Sequence, residues 1–259
     1  MKLGIVTQAR NESLRLIEWI SFHQKIGFEK IVIFDDASTD NSIEKIKSID
    51  GVFVKRTVDH GRRFDTSDPN VYSGARDYHE RQMMSFREGM QLLKQEDCDW
   101  VAIIDVDEFI VPQNANDARD YFSNLPSNVE RVYVASYDMQ YPFDLQKPLI
   151  PQSLYRWSEK TRVEGTAKGH SPGLYQTRGK SIVKLASWDG NVIGVHDVTK
   201  SQFISSGTEL SKFPHVLSVL RSIGLTNYDL GLKIFHYRAN SIMPIYDEYD
   251  DTALQLLNR

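Results

Sequence analysis

Three short apolar runs, Leu3–Thr7, Lys30–Phe34 and Gly51–Arg56, alternate with two helix-patterned segments at the start of this chain. No other feature narrows the fold as much. Successive parallel strands need crossover connections, and those crossovers are right-handed, so β-α-β-α-β predicts a doubly wound, mostly parallel sheet with flanking helices. The punctuation agrees. Leu14, Ile17, Trp19-Ile20 and Phe22-His23 give the first helix an apolar face, Asn11 or Ser13 can cap it, and Gly27 can end it. Thr39 or Asp40 can cap a second helix over Ser42–Ile49. A third helix is expected over Asp77–Gln95, with Met83, Met84, Phe86, Met90, Leu92 and Leu93 as core. Its methionines are taken as packing.

The fourth strand carries the chemistry. In Trp100 to Ile110, the run Val101–Ile104 is short, β-branched and apolar, as in a strand buried on both faces, and three carboxylates (Asp105, Asp107, Glu108) follow at once. A buried strand tolerates no unpaired charge, so the acids belong where the strand leaves the core. That carboxyl end is where open α/β sheets bind ligands. In extended backbone Asp105 and Asp107 would point the same way, and two such carboxylates need a cation between them. A hard divalent ion bridged to phosphate oxygens fits. Asp35-Asp36, at the end of the second strand, can accept from ribose hydroxyls or a base N–H. Helix capping from Asp36, Ser38 or Asp40 is the plainer alternative.

The 259 residues suffice for a sizeable core, and 41% hydrophobic with 25% charged residues is ordinary for a globular protein. A net charge of −4 gives no global basic field for nucleic acid. Cys98 is the single cysteine, so no intramolecular disulfide forms, which fits a reducing compartment. The opening residues lack a signal-peptide core, and no apolar run approaches the roughly 20 residues that span a bilayer. The expectation is a cytoplasmic protein acting at the inner face of a membrane.

Residues 60–78 are polar, with Arg62, Arg63 and Arg76 within reach of a diphosphate or simply solvated. Glu130–Tyr137 is a further strand, followed by Asp138. Between Leu154 and Lys184 a local basic excess (Arg156, Lys160, Arg162, Lys168, Arg178, Lys180, Lys184) suits an anionic donor, or a solvated loop. Ser181–Leu185 and Asn191–Val195 are expected strands, Lys212–Gly224 contains a helix, and Lys233–Arg238 is a late strand or turn. Tyr246–Leu257 is expected to form a helix that folds back or meets a partner. Tyr137–Phe143, Trp157 and Trp188 would either stack on sugars or pack in the core.

Arg10-Asn11-Glu12, Glu18-Trp19-Ile20, His23 and Phe34–Asp40 resemble the opening of a family 2-like glycosyltransferase, and Trp100–Phe109 resembles its Asp-x-Asp signature. Gly179–Lys184, His196 and His236-Tyr237-Arg238 are similar to later motifs of the family 92 (DUF23) branch. The resemblance covers about residues 3–240. It implies an α/β GT-A fold: a Rossmann-like central sheet flanked by helices, with a smaller C-terminal acceptor-side region. Residues 1–112 would form the nucleotide-sugar half and 113–259 the acceptor half of one continuous domain. It also implies Mn2+ or Mg2+ as cofactor and transfer with inversion from a nucleotide-sugar donor, most simply a UDP-sugar, to a glycan or lipid-linked acceptor. Asp35 or Asp36 would meet the uridine, and Arg10 and Glu12 would lie at the donor. Asp105 would sit near ribose and metal, and Asp107 would ligate the metal with His236 or, second, His196. Lys180, Lys184 and Arg238 would face the diphosphate. A base must take the acceptor proton. Asp138 is the first choice, with Asp197 and Asp189 behind it.

Expected, then, is a metal-dependent glycosyltransferase of surface polysaccharide synthesis. A non-catalytic nucleotide-sugar-binding protein and a metal-dependent nucleotide-sugar hydrolase are the alternatives. The chain has no Walker-type Gly-x-x-x-x-Gly-Lys, which disfavours ATPase chemistry.

Overall fold

A computed structural model describes residues 1–57, 75–113, 115–127, 129–140, 144, 147–156, 179–192, 203–206, 231–237 and 248–259; for 75–79, 133, 135, 203–206 and 248 the backbone alone is described. The first half alternates as expected: β1 (Leu3–Ala9), α1 (Leu16–Lys25), β2 (Phe28–Asp35), α2 (Ser42–Ile46), β3 (Val52–Arg56), α3 (Ala75–Gln95) and β4 (Trp100–Ile103). Then come β5 (Glu108–Pro112), α4 (Ala118–Ser123), β6 (Arg131–Asp138), β7 (Tyr155–Arg156), β8 (Gly179–Lys184), β9 (Phe203–Ser206), β10 (Leu232–His236), β11 (Glu248–Tyr249) and α5 (Thr252–Asn258).

The main sheet runs β3-β2-β1-β4-β8-β6-β10-β5, with β9 beside the first half of β6. β3, β2, β1 and β4 are parallel. β8 is antiparallel to both β4 and β6, so β6 runs with β4 again, as does β10. β5 closes the order antiparallel to β10. It is the mostly parallel, helix-flanked sheet of the GT-A expectation, and it runs across the 112/113 boundary. The directions matter for the site. The last residues of β1, β2, β4, β6 and β10 and the first residues of β5 and β8 all reach one edge.

Alternation sorts the core. Ile5, Ile31, Ile33 and Ala102 pack on one face with α1, and Val6, Val32, Phe34, Val101 and Ile103 on the other with Phe86, Met90 and Leu93 of α3. Gly89 lets α3 lie close: an added Cβ would meet Val6 at 2.6 Å. Gly27 follows α1 at φ +102°, as a helix-ending glycine does.

Several local expectations are corrected. Neither Asn11 nor Ser13 caps α1, whose N-cap is Arg15 with no side-chain bond. Asn11 turns into the left-handed region instead (φ 56°), and its Oδ1 accepts from the Thr39 N–H at 2.8 Å. α2 stops at Ile46, and Asp40 accepts from the Ser42 N–H. Tyr246–Leu257 is only partly helical: β11 precedes α5. α5 does fold back, since Lys25 Nζ donates to the Leu257 carbonyl at 2.7 Å. The expected strand at Asn191 is absent at residues 191–192; the rest of it, and the Lys212–Gly224 helix, lie outside the described residues.

Candidate active site

Among the described residues β5 is one of the two edge strands of this order, and an edge exposes unpaired backbone groups. α1 covers them. Trp19 Nε1–H donates to the Glu108 carbonyl at 2.8 Å, and the Ile110 N–H donates to His23 Nε2 at 3.2 Å. His23 Nδ1 lies 2.8 Å from the Trp19 carbonyl, which fixes the neutral tautomer protonated on Nδ1. Burial drives this imidazole's pKa down to about 3. Trp19 and His23, one turn apart, therefore fix the strand on which Glu108 stands.

The two loops after β1 and β2 are joined in the same manner. The Asn11 N–H donates to Ser38 Oγ at 3.0 Å, the Glu12 N–H to Ser42 Oγ at 2.9 Å, and the Ser13 N–H to Asp40 Oδ2 at 3.2 Å. Asp35 is used within its own turn, accepting from the Ser38 N–H at 2.9 Å. Asp36 is buried, with Arg81 Nε of α3 3.5 Å from its carboxylate. Glu12 pairs with Arg15. Burial raises the Glu12 pKa against Arg15, and Asp107 and Asp40 add to the rise, so Glu12 lies in the field of the acidic turn.

That turn departs from the extended geometry the sequence implies. Val106-Asp107 form a turn between β4 and β5, closed by the Glu108 N–H donating to the Asp105 carbonyl at 3.0 Å. Asp105 and Asp107 therefore do not stand on one extended strand. A cation does lie between two carboxylates, but it is Lys180. Its Nζ is 2.7 Å from Asp105 Oδ2 and 3.3 Å from Glu108 Oε2, and the residue is 1% exposed. Burial acts to lower the Lys180 pKa; the Asp105 and Glu108 carboxylates outweigh it and hold the ammonium charged.

Asp107 turns to His236, with Oδ2 and Nε2 3.3 Å apart. β10 delivers His236 in register with Asp138 of β6 and Glu108 of β5, so the three side chains share one face. His236 Nδ1 lies 3.4 Å from Asp138 Oδ1 and 3.9 Å from Glu108 Oε1. Burial works to lower the His236 pKa, but Asp107, Glu108 and Asp138 together raise it. Burial would raise Asp107, yet its partner His236 brings it below the usual carboxylate value.

Other expected residues fall elsewhere. Lys184 is at the opposite end of β8, paired in register with Trp100, and its Nζ donates to the Ser127 carbonyl at 3.4 Å, far from any diphosphate at the acidic edge. Asp189 is exposed in a turn after β8, accepting from the Asn191 N–H. Trp188 is core, with Nε1–H donating to the Asn191 carbonyl, and Tyr137 lies buried under the Arg156 guanidinium at 4.8 Å. Arg156 in turn binds Asp250 at 2.7 Å. Arg10 is half-buried just past β1. His196, Asp197, Arg238, Arg62, Arg63, Tyr141–Phe143 and Trp157 lie outside the described residues, as does the side chain of Arg76. Sequence reasoning missed the buried Glu108–Lys180 pairing and the Asp138–His236 contact. Register between strands distant in sequence creates both, and a single sequence carries no signal for it.

Among the described residues, no group of three or more His, Cys, Asp or Glu side chains is arranged to hold a metal. Asp107 and His236 form a pair, and the donor set still fits one: a carboxylate oxygen and an imidazole nitrogen suit Mn2+ well. Their 3.3 Å separation is near the roughly 3 Å between adjacent ligands of a cation with bonds of about 2.1–2.2 Å.

An open α/β sheet with charged groups gathered at its carboxyl edge defines a ligand-binding α/β protein of the doubly wound class. Comparison with known sequences narrows this: the profile of glycosyltransferase family 92 matches residues 6–212, and the chain belongs to that family. A glycosyltransferase family 92 protein of Oryza sativa subsp. japonica is 31% identical over 109 residues. That match spans 41% of this chain and 15% of the rice protein. Among solved structures, residues 1–349 of S. aureus TarS align at 14% identity with a TM-score of 0.40, over 72% of this chain and 48% of that one. Mannosyl-3-phosphoglycerate synthase from Rubrobacter xylanophilus aligns at 13% identity and 0.39, over 73% and 55%.

Proposed function

We propose that this protein is a metal-dependent glycosyltransferase that moves a sugar from a nucleotide-sugar, most simply a UDP-sugar, to a hydroxyl of a glycan or lipid-linked acceptor. The observation that carries the reading is the Asp107–His236 pair beside the carboxylates that Lys180 bridges at the carboxyl edge, in a family 92 chain. Asp107 and His236 would hold the metal, with remaining positions left to diphosphate oxygens and water. Bound there, Mn2+ or Mg2+ supplies Lewis-acid stabilisation of the departing nucleoside diphosphate. Asp138 orients the His236 ring through Nδ1, as a carboxylate behind a metal-binding histidine does. Lys180 offsets one of the two negative charges of Asp105 and Glu108 and so reduces the repulsion that an incoming diphosphate would meet.

Transfer with inversion calls for a base on the acceptor side. Asp138 is 2% exposed and set against His236, so we assign this role to Asp197, which stood behind it together with Asp189. Synthesis of a surface polysaccharide at the inner face of a membrane, from the cytoplasm, is the setting we propose. Among the described residues no helix is long and apolar enough to cross a membrane.

The test is release of UDP from UDP-sugars in the presence of Mn2+, with and without an acceptor panel. Acceptor-stimulated release, lost in a folded Asp107→Asn variant, is expected. Release that proceeds equally to water would make the protein a hydrolase, and no release from any nucleotide-sugar would contradict the enzyme reading.

A further inference from the structure

Tyr155 and Tyr249 are 46% and 56% exposed, the two aromatic members of the few large hydrophobic side chains that the described residues leave open to water. They stand opposite each other in the small β11-β7 sheet, with ring centroids 5.5 Å apart and planes at 73°. Alternation makes this ribbon two-sided. Its inner side is charged and closed, because Arg156 and Asp250, the residues that follow the two tyrosines, pair with each other in the interior. Its outer side is the tyrosine pair. Cross-strand aromatic contact helps a ribbon hold together, but the buried ion pair and the Asp250 N–H bond to the Leu154 carbonyl already fix these strands. The rings are therefore held open to water on a rigid support. Register places them relative to the acidic edge. Past Asp138 the chain meets β7: Met139 pairs antiparallel with Arg156, and the Gln140 N–H donates to the Tyr155 carbonyl at 2.8 Å. Residues opposite each other in such a pair share a face. Met139 and Arg156 lie with Tyr137, on the face away from His236. Tyr155 and Tyr249 then lie with the exposed Gln140 on the face of Asp138 and His236. The path from Asp138 is about 7 Å along the strand and about 5 Å to each further strand, within the span of a short oligosaccharide.

We infer that Tyr155 and Tyr249 form a platform for the sugar rings of an acceptor glycan, one step out from the sugar that reacts. This rests on the glycosyltransferase reading above, and between its two acceptor classes it selects a saccharide chain over a lipid. A pyranose presents a face of C–H bonds, apolar and weakly positive, which stacks on the negative face of an aromatic ring. Its hydroxyls need polar partners at the rim. Gln140 supplies an amide there, and Asp251, which accepts from Tyr249 Oη at 3.3 Å, supplies a carboxylate. An acyl chain would leave these polar groups unpaired, and a phosphate would meet the Asp251 charge. Rings a fixed distance from the metal pair favour an acceptor long enough to reach both, so the platform sets a preference for chain length.

The test is titration of glucose-, galactose- and mannose-based saccharides, from monosaccharide to hexasaccharide, followed by NMR with and without UDP and Mn2+. Wild type is compared with Tyr155→Ala/Tyr249→Ala, with Tyr155→Phe/Tyr249→Phe and with Tyr249→Ser. In wild type the affinity for one series is expected to rise with chain length. The double alanine variant should bind the longer members roughly tenfold more weakly and lose the length dependence. The double phenylalanine variant keeps the rings and should keep the length dependence. Tyr249→Ser alters only the more exposed ring, so it should show part of the loss at the melting temperature of wild type, whether or not the double alanine variant folds. Length dependence unchanged in the alanine and serine variants would overturn the platform. So would a lowered melting temperature with length dependence intact, which would make the tyrosines a brace for the ribbon. Wild type that binds UDP but no saccharide of any length would overturn it as well. Tyrosine-dependent saccharide binding in a protein that binds no nucleoside diphosphate would instead remove the transferase reading, and with it the acceptor role.

Discussion

Lys180 and His23 show how single buried residues determine charge at this edge. Lys180 is buried and faces two carboxylates, the buried Glu108 and the partly exposed Asp105. Removing one member of such a set leaves uncompensated charge, so Lys180→Met should destabilise the fold by about 3–5 kcal/mol in urea denaturation. Adding Glu108→Gln should recover part of that loss. An unchanged unfolding midpoint for Lys180→Met would contradict the arrangement. His23 has the opposite character, since the fold holds it neutral. With its pKa brought from 6.5 to about 3, the unfolded chain binds a proton between those values that the folded chain refuses. Stability from this group is therefore full above pH 6.5 and declines as pH falls toward 3. The loss between pH 7 and pH 5 should be about 2 kcal/mol. Comparing denaturation midpoints at both pH values, in wild type and His23→Gln, checks it: the variant should lack this part of the slope. The residue types at both positions were visible in the sequence, but their partners were not, because His23 meets β5 and Lys180 meets the turn only after the sheet forms.

Among the elements, β5 and α3 carry the geometry. β5 is an edge strand whose outer groups are bonded by side chains of α1. Trp19→Phe keeps the ring packing and removes the donor to the Glu108 carbonyl, for an expected loss of about 1–3 kcal/mol. If the bond also positions Glu108, metal-dependent nucleotide affinity should fall with it. α3 lies against β1 through Gly89, so Gly89→Ala should drive α3 outward and destabilise by about 1–3 kcal/mol, measured as a lowered melting temperature. Element type and order in the first half followed from apolar periodicity, which local sequence records. The end of α2 and the start of the C-terminal helix did not, because the chain turns after Ile46, with the Ile49 N–H on the Ile46 carbonyl, and Glu248-Tyr249 pairs with β7.

At the scale of the whole molecule, the chain closes on itself through Asp250, which takes Arg156 at 2.7 Å and Lys233 at 3.7 Å on the face of β6 and β10 opposite His236. Asp250→Ala leaves two buried cations without that carboxylate and should cost about 3–5 kcal/mol. A loss below about 1 kcal/mol would show that the C-terminal segment is not part of the site's foundation. The basic segment Leu154–Lys184 illustrates what sequence alone could not settle. Its charge excess suits an anionic ligand, yet Arg156 and Lys180 are buried on carboxylates and Lys184 lies at the other end of β8. The acidic turn, by contrast, was legible, since charge placed directly after a buried apolar run has only the strand end to occupy. The central claim is that this edge binds a nucleotide through a metal held by Asp107. Calorimetric titration of UDP, GDP, CMP and ADP, with and without Mn2+, into wild type and Asp107→Ala tests it most directly. The account predicts metal-dependent binding of one nucleotide, UDP first, abolished in the folded variant; absence of metal-dependent binding for all four would contradict it.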